Sequence, residues 1–268
     1  MDKLEQLKII LKTYPSAVVA YSAGVDSTFL AVVAHQVLGE NMLAVTAVSP
    51  TYPGEQLDEA KAIATQFGFR HQVIHTNEFE EPDFVANPPN RCYYCKLSLL
   101  KDLRKLADEQ GFQEVLDGAN VDDLSDYRPG HQAVKEVGVR SPLQEAGMTK
   151  ADIREYSQQL GLPTWNKPAY ACLASRVPYG TKITPEILGR IGRAEQFLYS
   201  LGFIEVRVRD HFPVARIEVG KEQMEEAWTQ RNPIAAKLHE LGYSFVTLDL
   251  DGFRSGSMNA GITKPGSA

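Results

Sequence analysis

The apolar positions along the chain switch repeatedly between two periods. An amphipathic stretch at 3–13 is followed by a short, largely β-branched run at 17–21. Apolar residues at helical spacing come next, Phe29, Leu30, Val33, Ala34, Val37 and Leu38, ending at Gly39. The exchange recurs with a strand at 43–48, a helix at 55–67, a strand at 70–75, a helix at 96–110 and a strand at 114–119. Between 78 and 91 the composition turns to Glu, Pro and Asn, which predicts a loop. Strands alternating with helices predict an α/β fold on a doubly wound parallel sheet, with ligands at the carboxyl ends of its strands. Ser49 and Asp117–Gly118 fall at such ends.

A different regime follows. Thr149 and Asp152 form a capping-box pattern ahead of a helix that stops at Gly161, and a loop spans 164–180. Beyond it, Thr184 caps a helix with Pro185 at its first position, and strands are expected at 205–210 and 215–219. A helical stretch from 221 is broken at Asn232–Pro233 and resumes to Leu241, before a last strand at 244–250. This predicts a smaller C-terminal α+β domain, with the division at 1–170 and 171–268.

The remaining bounds come from composition. The chain has 268 residues, 43% hydrophobic and 23% charged, enough for a proper core. A net charge of −6 disfavours broad nucleic-acid binding. The N-terminus is unlike a signal peptide and no apolar run approaches bilayer length, so a cytoplasmic protein is expected. Three cysteines are an odd count and a poor disulfide framework.

The chemistry starts at residues 18–33, VVAYSAGVDSTFLAVV. A strand, a turn of small residues and a helix aim the free N–H groups and positive end of the helix at whatever sits above the turn, which favours phosphate. Ser22, Gly24, Val25 and Ser27 line the turn, and Asp26 could hold Mg²⁺ against phosphate oxygens. No Gly-Lys-Ser/Thr follows it. The segment resembles the pyrophosphate loop of the PP-loop (N-type) ATP pyrophosphatases, which adenylate a substrate oxygen and release pyrophosphate. Ala23 stands where that family usually has Gly, a strain of roughly 1 kcal/mol if the position needs a positive φ. The plainer reading is a generic strand–turn–helix.

Cys92-Tyr-Tyr-Cys95 lies where a loop enters a helix, and Cys172 sits in the 164–180 loop. Four readings stand side by side: an iron–sulfur cluster on three thiolates with one open iron, zinc with a fourth ligand from elsewhere, sacrificial or persulfide chemistry, and ordinary buried thiols.

Seven segments then resemble the LarE family, PP-loop sulfur transferases that help build the nickel-pincer nucleotide cofactor. They are SAGVDS (22–27), RCYYCK (91–96), LDGANVDDLSDYRPG (116–130), GVRSPLQEA (138–146), WNKPAYACLASRVPYG (165–180), VRVRDHFPVARIEV (206–219) and TLDLDGFRSGSMN (247–259). The resemblance implies that ATP adenylates a carboxylate of pyridinium-3,5-biscarboxylic acid mononucleotide and that sulfur displaces AMP, leaving a thiocarboxylate. One branch of the family sacrifices a cysteine, and alignment on ASRVPYG puts that position at Ala171, which has no sulfur to give. The chain instead resembles the three-cysteine branch, in which Cys92, Cys95 and Cys172 hold a [4Fe–4S] cluster.

The resemblance implies further roles. Arg207 and Arg209, on one face of a strand, would bind the substrate phosphate; Arg216 and Glu218 share a face of the next strand, and the plain reading of the set is a solvated sheet face with cross-strand ion pairs. Glu195, Glu218 and Glu226 match divalent-metal positions, though each taken alone reads as a surface carboxylate. Arg176 could neutralise charge on the adenylate phosphate, and Lys96 could do the same for ATP. Asp126 and Arg128 sit in loops beside the domain junction, Gly118 and Asn120 suit close approach to the nucleotide, and Tyr93 and Tyr94 read as packing. The resemblance also implies a homo-oligomer, with a hexamer as one form. An external sulfide or sulfur donor and no nucleic-acid partner are expected. The rivals are a PP-loop tRNA thiolation enzyme and a non-catalytic metal-binding or redox-sensing module.

Overall fold

The computed structural model describes residues 2–49, 54–124, 130–167 and 172–254. The chain divides into two compact units, residues 1–81 with 90–170, and 82–89 with 171–268.

The first unit is built on a four-stranded sheet in the spatial order 71–75, 42–48, 17–20, 114–116, with every pairing parallel. Its strands are β1 (Ala17–Ala20), β2 (Met42–Val48), β3 (His71–His75) and β4 (Glu114–Leu116). The helices are α1 (Lys3–Lys12), α2 (Val25–Leu38), α3 (Gly54–Phe67), α5 (Arg91–Gln110), α6 (Gly130–Val137), α7 (Pro142–Glu145) and α8 (Lys150–Gln159); α4 (Pro82–Val85) belongs to the second unit. Successive strand residues serve opposite layers. Ala17 and Val19 join Met42 and Ala44 in a core with α1, α2 and α8, whereas Val18 joins Leu43, Val45 and Val115 in a core with α5 and α6. The sheet is covered on both faces, as the doubly wound fold requires. α2 is buried over most of its circumference, which is why its residues are apolar nearly all round.

Helix α5 starts at Arg91, five residues before the start expected at 96. Asn90, directly after Pro88 and Pro89, stands as its N-cap. The CxxC motif is therefore in the first helical turn. The stretch expected as a loop at 78–91 contains α4, and α6 and α7 were not foreseen, because so few residues show too little periodicity. The capping box at Thr149 is present: Thr149 N–H donates to Asp152 Oδ2 at 2.7 Å, and Asp152 N–H donates to Thr149 Oγ1 at 3.3 Å.

The second unit carries β5 (Val206–His211), β6 (Val214–Val219) and β7 (Phe245–Leu248), with β5–β6 antiparallel and β6–β7 parallel. Helices α9 (Pro185–Ser200), α10 (Met224–Thr229) and α11 (Arg231–Glu240) complete it. The helical break falls at Gln230, not at Asn232–Pro233, because Pro233 lies in the first turn of α11, where its missing N–H costs nothing. Segment 82–89 is stitched into this unit by Asn87, whose side-chain amide donates to the carbonyls of Pro178 at 2.8 Å and Thr181 at 3.0 Å.

Candidate active site

In the first unit, β1 ends at Ala20 and α2 begins at Val25, so residues 21–24 make the whole turn. Gly24 is the N-cap and has no side chain to occupy the first-turn N–H groups of α2. Ala23 takes φ 54°, the left-handed conformation that glycine accepts more readily, and it is fully buried. Ser22 and Ser27 hydroxyls lie 3.0 Å apart, and Ser27 Oγ also accepts from Ser22 N–H at 3.2 Å. Two hydroxyls and a set of helix-start N–H groups therefore converge at one strand end.

The surroundings are organised by the neighbouring strand ends. Gly118 follows β4, and a Cβ there would lie 3.1 Å from Ser27 N and 3.3 Å from Ser27 Cα. Its small size thus serves the packing of the strand end against the turn. Asn120 Nδ2 donates to Asp26 Oδ1 at 3.3 Å, and Lys150 Nζ pairs with Asp26 Oδ2. Lys96 Nζ reaches Asp117 Oδ2 at 2.7 Å, and Gly130 gives its stem room, since a Cβ there would sit 3.0 Å from Lys96 Cδ. Lys167 Nζ donates to the Ala23 carbonyl at 3.0 Å and pairs with Glu59. Ser49 is buried immediately after β2. Behind the turn, Thr46 Oγ1 donates to the Tyr21 carbonyl at 2.8 Å and lies 2.8 Å from His71 Nε2. Burial, and then Lys61, hold the His71 pKa below its ordinary value of 6.5.

Cys92 and Cys95 are one helical turn apart at the start of α5, Cys92 exposed and Cys95 half-buried. Cys172, in the second unit, is exposed too, and no cysteine is in a disulfide. The exposure of Cys92 and Cys172 removes the reading as buried thiols for those two. Two sulfur donors one turn apart suit a soft metal or cluster. No group of three His, Cys, Asp or Glu arranged to hold a metal occurs among the described residues.

In the second unit, β5 and β6 place Val206, Val208, Ala215, Ile217 and Val219 in the hydrophobic core, and Arg207, Arg209, Arg216 and Glu218 on the opposite face. That face is not solvated, which corrects the plain reading: Arg207 and Arg209 are buried and Glu218 fully so. The ion pairs are real. Arg209 forks onto Glu218 at 3.1 and 2.7 Å, and Arg216 reaches Glu218 at 3.3 Å and Asp249 at 2.6 Å. Burial, and then Arg176, lower the Arg207 pKa.

Arg176 faces inward at 1% exposure and forks onto Glu195 at 2.8 and 2.9 Å. A divalent metal on Glu195 and Glu218 does not fit this arrangement, because both carboxylates are taken by guanidinium groups. Glu226 is exposed on α10 and bonds to Gln223 and Gln230. Asp126, Arg128 and Ala171 lie outside the described residues.

Lys150 and Lys167 were missed by sequence reasoning. Lys150 carried a signal, since a lysine at the first position of a helix opposes the dipole unless an anion faces it. Lys167 carried none.

An uncharacterized protein of Synechocystis is 48% identical over 265 residues, 98% of this chain and 99% of its own. A pyridinium-3,5-bisthiocarboxylic acid mononucleotide synthase of Lactiplantibacillus plantarum is 40% identical over 263 residues, 98% of this chain and 95% of its own. The chain belongs to the LarE family. A family profile described as NAD synthase matches residues 5–82, the segment holding the turn at Ser22–Ser27, and identifies the LarE fold here as that of the PP-loop ATP pyrophosphatases. A glutamine-hydrolyzing GMP synthase component of Archaeoglobus fulgidus is similar over a shorter span, 23% identical over 186 residues, 65% of this chain and 58% of its own. As a LarE-family protein the chain is an ATP-dependent enzyme, which sets aside the non-catalytic module. No helix among the described residues is long and apolar enough to cross a membrane.

Proposed function

We propose that the chain is an ATP-dependent sulfur transferase acting on pyridinium-3,5-biscarboxylic acid mononucleotide, in nickel-pincer nucleotide biosynthesis. The observation that carries this reading is the 40% identity over 98% of the chain to the Lactiplantibacillus plantarum synthase, joined to an intact Ser22–Ser27 turn at a strand end. The β,γ-phosphates of ATP accept from the first-turn N–H groups of α2 and from the Ser22 and Ser27 hydroxyls. Asp26 would hold the Mg²⁺ that accompanies ATP, and Lys150, its partner in the structure, would add positive charge beside the phosphates. Lys96 adds positive charge from the α5 side. Ser49, Gly118 and Asn120 border the nucleotide, and the family resemblance assigns Asp126 and Arg128 to its binding as well.

A substrate carboxylate oxygen attacks the α-phosphorus, and the bond to pyrophosphate breaks. The resulting acyl adenylate is attacked at its carbonyl carbon by sulfide, and the C–O bond to AMP breaks, leaving thiocarboxylate and AMP. Arg207, Arg209 and Arg216 stand against Glu218 and Asp249, a cationic surplus that suits the substrate's phosphate at Arg207 and Arg209. Cys92, Cys95 and Cys172 would hold a [4Fe–4S] cluster, which when bound supplies an open iron site for an external sulfide. A cytoplasmic homo-oligomer, hexameric in the family's manner, completes the reading.

The test is pyrophosphate release from Mg-ATP. It should require the dicarboxylate mononucleotide and be lost in Asp26→Asn. Release stimulated by tRNA and indifferent to the mononucleotide would favour a tRNA thiolation enzyme.

A further inference from the structure

Cys172 stands at the head of a single 3-10 turn, Leu173–Arg176, with its side chain exposed. Only the cysteine is exposed, for Ala174 and Arg176 of the turn are buried. The turn is held from beneath. Arg176 closes the turn and reaches back, its Nη1 donating to the Cys172 carbonyl at 3.1 Å and to Ser175 Oγ at 3.0 Å. The other edge of the guanidinium forks onto Glu195 of α9. Glu195 Oε1 also accepts from the Val208 N–H of β5 at 2.9 Å, which ties the carboxylate to the sheet. Arg209 supports the far end, donating to the Ser175 carbonyl at 3.0 Å while its own fork grips Glu218. Both carbonyls, at Cys172 and Ser175, thus end on buried guanidinium groups that are themselves pinned by buried carboxylates.

We propose that Arg176 and Glu195 are positioning residues for Cys172, fixing the backbone from which its thiol projects, so that the sulfur step depends on them and adenylation does not. A guanidinium is the group that can do this, because its planar fork serves a carboxylate on one edge and a carbonyl on the other. A lysine ammonium at the same place has one centre and cannot span both. The inference rests on the reading that Cys172 serves sulfur transfer.

Removing one partner alone would leave a buried charge and destabilise the unit. The informative variant is therefore the neutral pair, Arg176→Met with Glu195→Gln, in which Gln keeps an acceptor for the Val208 N–H. Arg176→Lys serves as a second variant that retains the charge. Full-length proteins are compared for thermal melting, pyrophosphate release, thiocarboxylate formed, and the alkylation rate of each cysteine resolved by mass spectrometry with EDTA present. In both variants the expected result is a first-turnover burst of pyrophosphate whose rate is within about twofold of the parent, because later turnovers wait for the sulfur step to clear the adenylate. Thiocarboxylate should fall by at least about tenfold, as for a misplaced reacting group. The Cys172 alkylation rate should change while the Cys92 and Cys95 rates hold. A folded variant with the parent's Cys172 rate and product yield would overturn the proposal, as would a first-turnover pyrophosphate burst slowed in step with product. Failure of the underlying reading is seen separately: Cys172→Ala in the parent would then form thiocarboxylate at the full rate.

Discussion

Gly118→Ala adds one methyl group where two strand ends and a helix start meet. The new Cβ would lie 3.1 Å from Ser27 N, 3.3 Å from Ser27 Cα and 3.4 Å from Asp26 C. All three are backbone atoms of the first turn of α2, so no flexible side chain can give way. The turn must move by a few tenths of an ångström, or β4 must. Overpacking of this kind costs about 1–3 kcal/mol, or roughly 3–10 °C in Tm for a unit of this size. The same displacement separates the Ser22 and Ser27 hydroxyls from the phosphates, so the ATP KM should rise by about tenfold, equivalent to 1.4 kcal/mol. Gly189→Ala is the control. Its Cβ would meet only Arg193 Nη1 at 3.6 Å, and alanine in mid-helix should add about 0.5–1 kcal/mol. Differential scanning fluorimetry with a pyrophosphate-release assay reads both quantities. A Gly118→Ala protein that melts with the parent and keeps its ATP KM would refute the close-packing argument.

Other consequences are equally direct. Asp26→Asn should lower pyrophosphate release by about 10²–10³-fold, the scale of one lost transition-state electrostatic group, while Tm barely moves because the Lys150 pair is partly exposed. His71 and His211 are both held below their ordinary value of 6.5, mainly by burial and next by Lys61 and Arg216 respectively. The folded state therefore binds fewer protons than the unfolded chain below that value. Their contribution is complete above it and lost as pH falls, so the urea midpoint should drop between about pH 8 and pH 5, and less steeply in His71→Gln. Protein prepared without air should contain about four iron atoms per chain with matching acid-labile sulfide, lost in Cys172→Ala; an iron-free parent would remove the cluster and leave zinc or persulfide chemistry.

What the residues disclosed in advance depended on how local the deciding interaction is. The turn between β1 and α2 was legible because a β-branched run, small residues and a helical apolar pattern adjoin one another. Even the positive φ at Ala23 could be anticipated as a condition on the motif. The side on which Arg207 and Arg209 lie followed from the two-residue period of a strand. Their burial did not, because the turn that supports Arg209 begins at Leu173, far upstream. Arg176 and Glu195 were assigned separate tasks from the sequence and turn out to bond to each other. The early start of α5 was hidden behind Pro88 and Pro89, and the inclusion of 82–89 in the second unit rests on Asn87 reaching carbonyls beyond residue 176.

The most direct test is the mass of the acceptor after the full-length protein, prepared without air, is incubated with Mg-ATP, sulfide and pyridinium-3,5-biscarboxylic acid mononucleotide. The account predicts a product in which sulfur replaces a carboxylate oxygen, formed with one AMP per sulfur and absent without ATP. AMP formation with an acceptor of unchanged mass would contradict it.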